Sequence, residues 1–334
     1  MTVSLADIFA ARLTLRGQAD ATPFVPSPYM TARAGHDVLM KLETCQPIGA
    51  FKLRGAVNAV MNLPEGVAGV TCCSTGNHGR GVAYAAARRG IRAVICMSEL
   101  VPQAKVDGIR ALGAEVCIIG RSQDDALAQS LRLVAAEGLV EISPFDDPKV
   151  IAGQGTIGLE MIEARPDLSM ALVPLSGGGL AAGVAVAVKA VNPAVQVIGI
   201  TMDRGAAMHA SIAAGHPVEV EEVPSLADSL GGGIGMDNRL SFPLCRDHLD
   251  GTILVTEEDI RDAMQVLFYE DRMVAEGASV VGLAAILSGK VRPQGPVGTI
   301  ITGRNLDMGM FHRIMAGEDI DLGDRTLKGK RYGA

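Results

Sequence analysis

The sequence predicts an α/β protein, and two observations carry that prediction. From about residue 37, short β-branched runs alternate with longer amphipathic ones, the pattern of parallel strands joined by right-handed helical crossovers. Hydrophobic residues make up 48% of the 334 residues but aromatics only 3%, with no Trp, so the core must be built from Ala, Val, Ile, Leu and Met, which suits helices packed on a sheet. A chain of this length buries a sizeable core without disulfides or metals.

In chain order, the apolar run 38–42 predicts a first strand and 53–61 the helix after it. Strands at 69–73, 93–97 and 115–119 alternate with helices at 77–89, 104–112 and 122–137, each strand short and rich in Val, Ile or Cys. A strand at 170–175, a helix at 182–191 and a strand at 195–201 form a further β-α-β unit. Helices at 257–269 and 278–287 precede a last buried strand at 297–302. No repeat with a period of 20–50 residues and no low-complexity linker interrupts this order, so any domain division has to be discontinuous. The expected division is a large domain of 1–68 plus 147–321, a small one of 69–146, and a charged, Gly-rich tail at 322–334 that is solvated from Asp324 onward.

A net charge of −7, with no basic stripe interleaved with aromatics, removes the electrostatic and stacking support for nucleic-acid binding. The N-terminal segment lacks the basic-then-apolar layout of a secretory signal and no apolar run approaches a membrane span, which points to a cytoplasmic protein. Six cysteines form no CxxC pair and read as buried, reduced thiols.

Four segments carry chemistry. Lys52 stands between Phe51 and Leu53 at the start of a helix, where desolvation and the positive end of the dipole both disfavour its charged form. Alone, it reads as a surface cation near a helix start. The stretch Ser74, Thr75, Gly76, Asn77, His78, Gly79 follows a strand and opens a helix, so its amides suit a carboxylate; the bland reading is that Asn77 and His78 cap the helix. Gly177, Gly178 and Gly179, with Leu180, lie between a strand and a helix and leave several amides for one phosphate. With Gly183 they also form GxGxxxG, and Asp203 follows the next strand, so a nucleotide-binding α/β module is the competing reading. A fourth segment, 297–305, is a buried strand ending in a polar turn, where the Thr302 hydroxyl suits a ring nitrogen that stays neutral. An amine, a polar turn and an anion cradle together suggest an aldehyde cofactor carrying a phosphate.

These four segments, in this order, resemble the fold-type II pyridoxal-phosphate enzymes, and within them the threonine dehydratase and serine racemase family. The resemblance extends over Thr22-Pro23, Lys41-Leu42-Glu43, 101–105, Gly113-Ala114, 144–148, 151–156, 225–235 and Glu276-Gly277-Ala278. It implies the tryptophan synthase β-like fold, two open three-layer α/β/α lobes, with pyridoxal 5'-phosphate as cofactor. By the same resemblance Lys52 is the Schiff-base lysine; Gly177, Gly178, Gly179 and Leu180 hold the phosphate; Asn77 contacts the ring oxygen; Phe51 packs beside the ring; Thr302 faces the ring nitrogen. Ser74, Thr75, Gly76, Asn77 and His78 bind the substrate.

The implied reaction is loss of the β-hydroxyl and amine of a small 3-hydroxy amino acid, giving an oxo acid and ammonia, by a homodimer. The family's threonine-specific members have Ala where this chain has Thr75, and its racemizing members have Ser there as an acid-base, so amino-acid racemization is the runner-up. Thr201 replaces the Glu that ligates metal in serine racemase, so no metal is expected. Arg80 and Arg304 are unusual cations that form surface ion pairs or, if turned inward, favour a second substrate carboxylate such as that of 3-hydroxyaspartate. The chain also looks like the dehydratase branch associated with hydroxyectoine breakdown. No regulatory segment of the biosynthetic threonine dehydratase kind is expected after residue 321.

Overall fold

The alternating pattern resolves into two parallel sheets and a terminal hairpin. The structure is a computed structural model that describes residues 2–74, 76–99, 101 and 103–333. Its strands are β1 (Phe24–Pro26), β2 (Val38–Leu42), β3 (Val70–Cys73), β4 (Ala93–Met97), β5 (Glu115–Ile118), β6 (Val140–Glu141), β7 (Met170–Pro174), β8 (Gln196–Met202), β9 (Gly251–Val255), β10 (Val297–Ile301), β11 (Ile320–Asp321) and β12 (Thr326–Leu327). Its helices are α1 (Leu5–Thr14), α2 (Pro28–Ala34), α3 (Lys52–Met61), α4 (Asn77–Arg89), α5 (Gln103–Arg110), α6 (Gln123–Glu137), α7 (Pro148–Ala164), α8 (Gly179–Val191), α9 (Ala207–Ala214), α10 (Ser241–His248), α11 (Glu257–Tyr269), α12 (Val281–Leu287) and α13 (Met308–Ala316).

The larger sheet runs β1-β2-β10-β7-β8-β9, with β1 antiparallel and the rest parallel; the smaller runs β5-β4-β3-β6, all parallel. Parallel neighbours cannot be joined by hairpins, so every such pair is bridged by a crossover, and strand ends far apart in sequence meet at one rim. Apolar residues cover both faces of the larger sheet, with Leu283, Ala284 and Met264 in one cluster and Leu159, Val184 and Val173 in the other. As the composition requires, these clusters are aliphatic rather than aromatic.

No helix is expected from sequence at 148–164, where Gly153, Gly155 and Gly158 lower helix propensity. The structure forms α7 there because those glycines are contact surfaces. A Cβ on Gly155 would lie 2.9 Å from the Gly183 carbonyl of α8, and one on Gly183 would lie 2.6 Å from the Gly155 nitrogen. Gly183 is therefore a helix-packing residue. Close helix packing alone accounts for its place in the GxGxxxG string.

A buried charge cluster pins α3 to its surroundings. Arg54, 2% exposed, donates from Nε and Nη2 to the two oxygens of Glu43 at 2.8 Å each, and from Nη1 to Glu160 of α7 at 2.5 Å. Lys41 of β2 donates to the other oxygen of Glu160 at 2.5 Å.

The tail departs from expectation. Leu322 and Leu327 are buried, Arg261 and Gln265 of α11 donate to the Lys328 and Lys330 carbonyls at 2.6 and 2.7 Å, and Tyr332 stacks on Tyr269 at 4.8 Å. Its charged side chains sit beside inward-facing Leu327 and a docked backbone, so charge alone misreads it as solvated. Cys45 is exposed, against the expectation that all six thiols are buried; Cys72, Cys96 and Cys245 are buried. Among the described residues no helix is long and apolar enough to cross a membrane.

Candidate active site

The end of β10 meets the start of α3. The Phe51 amide donates to the Thr302 carbonyl at 2.9 Å, and Ala50 forms an isolated bridge with Gly303, so residues 251 and 253 positions apart are held side by side. Lys52 is the first residue of α3, and its Nζ donates to the Pro144 carbonyl at 2.6 Å. Part of its stem reaches solvent, while the amine itself is enclosed. Removal from water is the sole cause that pushes this amine down to about 8. The Lys52 cation also lies 5.4 Å from the centre of the Phe51 ring.

The turn after β3 folds on its own serine: Ser74 Oγ accepts the amides of Gly76 and Gly79 at 3.3 and 3.0 Å. Those two amides are thus taken. The amides of Asn77 and His78, in the first turn of α4, have no acceptor among the described residues. Thr75 lies outside the described residues. Asn77 does not cap α4 with its side chain. Instead its Nδ2 donates to both oxygens of Glu276 at 3.0 and 3.2 Å, and its Oδ1 accepts from Asn305 Nδ2 at 2.7 Å. Glu276 also accepts from Ser229 Oγ at 2.9 Å and from the Asn305 amide at 2.8 Å; burial nevertheless raises its pKa.

His78 turns away from this network. Its Nε2 lies 2.7 Å from the Ile142 carbonyl, which can only accept, so Nε2 carries the proton. Nδ1 is then a buried lone pair with no partner among the described residues. Burial, followed by the nearby Lys52 cation, pushes the imidazole down to about 3, so it is neutral at any ordinary pH.

The glycine run joins β7 to α8, which starts at Gly179, three residues before the predicted start, so the run itself forms the helix entry. Gly178 has φ +91°, a conformation that favours glycine. A Cβ on Gly177 would collide with the ring of Phe145, and one on Gly179 would lie 2.8 Å from the Phe145 Cα. Leu180 is buried. The first-turn amides of Gly179, Leu180 and Ala181 have no acceptor among the described residues. Thr302 Oγ1 lies 2.9 Å from Ser279 Oγ, which also donates to the Gly303 carbonyl at 2.9 Å.

Glu276, Ser279, Asn305, Ser241 and the segment 144–146 join this site without any role read from the sequence. Their one signal was the resemblance, which included Glu276 and 144–148 as matched segments. Arg80 and Arg304 make no ion pair among the described residues, contrary to the surface-pair reading; both line a cleft of about 260 Å³ with Pro47, Gly49, Gly108 and Asn305. Lys52, Asn77 and Thr302 are not part of that lining.

A buried amine of lowered pKa, an amide cradle crowded against any Cβ, and polar side chains at two strand ends fit an aldehyde cofactor with a phosphate. The family model for pyridoxal-phosphate dependent enzymes matches residues 15–303. A putative threonine dehydratase of Sinorhizobium fredii is 53% identical over 94% of this chain and 96% of its own length. An L-threonine ammonia-lyase of Thermotoga maritima is 40% identical over 94% of this chain and 78% of its own. The solved structure of maize serine racemase superposes with a TM-score of 0.89 at 31% identity, covering 95% of this chain and 98% of that one. The nucleotide-module reading is thereby overturned. The chain belongs to the pyridoxal-phosphate dependent enzyme family, as a fold-type II lyase of the threonine dehydratase kind that uses pyridoxal 5'-phosphate.

Proposed function

We propose that the protein is a dehydratase, or ammonia-lyase, for a small 3-hydroxy amino acid: threonine, serine, 3-hydroxyaspartate or a relative derived from hydroxyectoine. The observation that supports it most is the enclosed Lys52 amine, in a chain whose relatives include proteins named threonine dehydratase and L-threonine ammonia-lyase. On this reading the protein works as a cytoplasmic homodimer, with the small sheet belonging to a domain of 69–146 that faces a larger one of 1–68 plus 147–321.

The cofactor supplies an electron sink for the charge left when a proton leaves Cα. The protein's own groups do the rest. A pKa of about 8 leaves roughly a tenth of Lys52 amines unprotonated at pH 7, so this amine would hold the cofactor's aldehyde group and, in its free form, would be the base for the Cα proton. The free amides of Gly179 and Leu180, with Gly177 and Gly178, hold the phosphate. Asn77, fixed by Glu276, would contact the ring oxygen, and Phe51 would pack beside the ring. Thr302 donates to the ring nitrogen if Ser279 turns its proton from the Gly303 carbonyl to Thr302 Oγ1, which the 2.9 Å separation permits. Ser74, Gly76, Asn77 and His78, with Thr75, form the wall that receives the substrate carboxylate, through the open amides of Asn77 and His78.

The test is to incubate the purified holoenzyme with L-threonine, L-serine and L-threo-3-hydroxyaspartate while following oxo acid, ammonia and the enantiomer of the remaining substrate. Equimolar oxo acid and ammonia from one of these supports the proposal. Inversion of substrate without oxo acid replaces it with the racemase reading.

A further inference from the structure

The segment between β6 and α7 touches three parts of the site. The Ile142 carbonyl accepts the hydrogen bond of His78 Nε2, the Pro144 carbonyl accepts that of Lys52 Nζ, and Phe145 lies against Gly177 and Gly179. Asp146, the next residue, contacts none of these groups directly. Its Oδ1 accepts the amides of Leu240 and Ser241 at 2.9 and 2.8 Å, and its Oδ2 accepts that of Arg239 at 3.0 Å. Three backbone donors at the entry to α10 thus converge on one carboxylate, where a side chain at the N-cap position itself, Leu240, offers no acceptor.

The consequence travels through Ser241. Its Oγ donates to the Gly177 carbonyl at 2.7 Å and accepts from Asn238 Nδ2 at 2.8 Å. Cys245, one turn along α10, donates to the Gly178 carbonyl at 3.5 Å. Two successive carbonyls of the glycine run are therefore drawn toward α10. In a planar trans peptide the carbonyl and the N–H point to opposite sides, so the Gly178 and Gly179 N–H groups are turned away from α10. Glycine has no side chain to hold this orientation, so it must be imposed from behind.

We propose that Asp146 is a positioning residue for the phosphate cradle: by fixing the start of α10 it seats Ser241 on the Gly177 carbonyl and so aims the Gly178 and Gly179 amides at the cofactor phosphate. This rests on the reading of residues 177–180 as that cradle. The aim depends on a carboxylate 31 residues upstream of the first glycine.

The experiment measures the dissociation constants of pyridoxal 5'-phosphate and of pyridoxal, which lacks the phosphate, for cofactor-stripped full-length wild type, Asp146→Ala, Asp146→Asn and Ser241→Ala. Asp146→Ala and Ser241→Ala each weaken the phosphorylated ligand about tenfold, the scale of a lost charge-assisted contact, and leave pyridoxal within about twofold. Asp146→Asn, which keeps one acceptor oxygen, falls between. The double variant Asp146→Ala/Ser241→Ala is no weaker than either single one, because both act through one contact. If Asp146→Ala does not fold, Ser241→Ala and Asp146→Asn carry the test. Equal weakening of both ligands, or of neither, overturns the proposal and marks Asp146 as a helix cap only. Wild type that binds pyridoxal as tightly as its phosphate overturns the cradle reading itself, and the proposal with it.

Discussion

Both carboxylate oxygens of Glu276 accept the side-chain amide of Asn77, at 3.0 and 3.2 Å, across 199 residues of chain. This contact decides which end of the Asn77 amide is spent on the protein and which hydrogen remains for a ligand. It also gathers Ser229 and Asn305 around one buried acid.

Removing that acid takes the acceptor from three donors. Ser229 is exposed and can turn to water, so Glu276→Ala should destabilise the protein by about 1–3 kcal/mol in urea unfolding, since each enclosed donor left without an acceptor costs about 1 kcal/mol or more. Glu276→Gln keeps the shape but presents its own NH2 to Asn77, and should cost about half as much while loosening the cofactor.

His78 makes stability depend on acidity. Its folded pKa of about 3 lies below the ordinary 6.5, so the folded state binds fewer protons than the unfolded one between those values. Stability contributed by neutral His78 is full above about 6.5 and is lost as pH falls toward 3. At pH 5 the loss is about 2 kcal/mol relative to pH 8. Comparing urea midpoints of wild type and His78→Gln across this range checks it: the wild-type slope should be the steeper.

The glycines differ in what excludes a side chain. Gly177→Ala meets the Phe145 ring, which a second substitution removes, whereas Gly179→Ala meets the Phe145 backbone, which none removes. Gly177→Ala should lose about tenfold or more in cofactor affinity and Phe145→Ala should restore much of it, while Gly179→Ala should not be rescued. Affinity titrations of the four variants decide this.

Arg54 holds the helix that begins with Lys52. Arg54→Met would leave Glu43, fully buried, and Glu160 without their shared cation, at a cost of about 3–5 kcal/mol. Its unfolding midpoint should fall accordingly, and Glu43→Gln in the same chain should recover part of the loss.

How far the sequence reveals this site follows from where each signal resides. Lys52, Asn77 and the glycines sit at strand-to-helix junctions, which hydrophobic periodicity marks locally. Glu276 and Ser279, on the turn before α12, and Asn305, after β10, act through contacts with Asn77 and Thr302, residues distant in sequence that only the tertiary fold brings together. Asp146 lies in a loop with no periodicity at all. Helix α7 was hidden for the opposite reason, since the glycines that lower its propensity are what allow α8 to approach. At the tail, Leu327 outweighs the charges around it because its burial docks the backbone on α11.

The most direct measurement is to reduce the holoenzyme with borohydride, which fixes the cofactor to whatever amine holds it, and map the modified peptide by mass spectrometry. The account predicts the cofactor on Lys52, with Lys52→Ala unlabelled and unable to release oxo acid from any 3-hydroxy amino acid. Label on another lysine, or oxo acid release by Lys52→Ala at the wild-type rate, would contradict it.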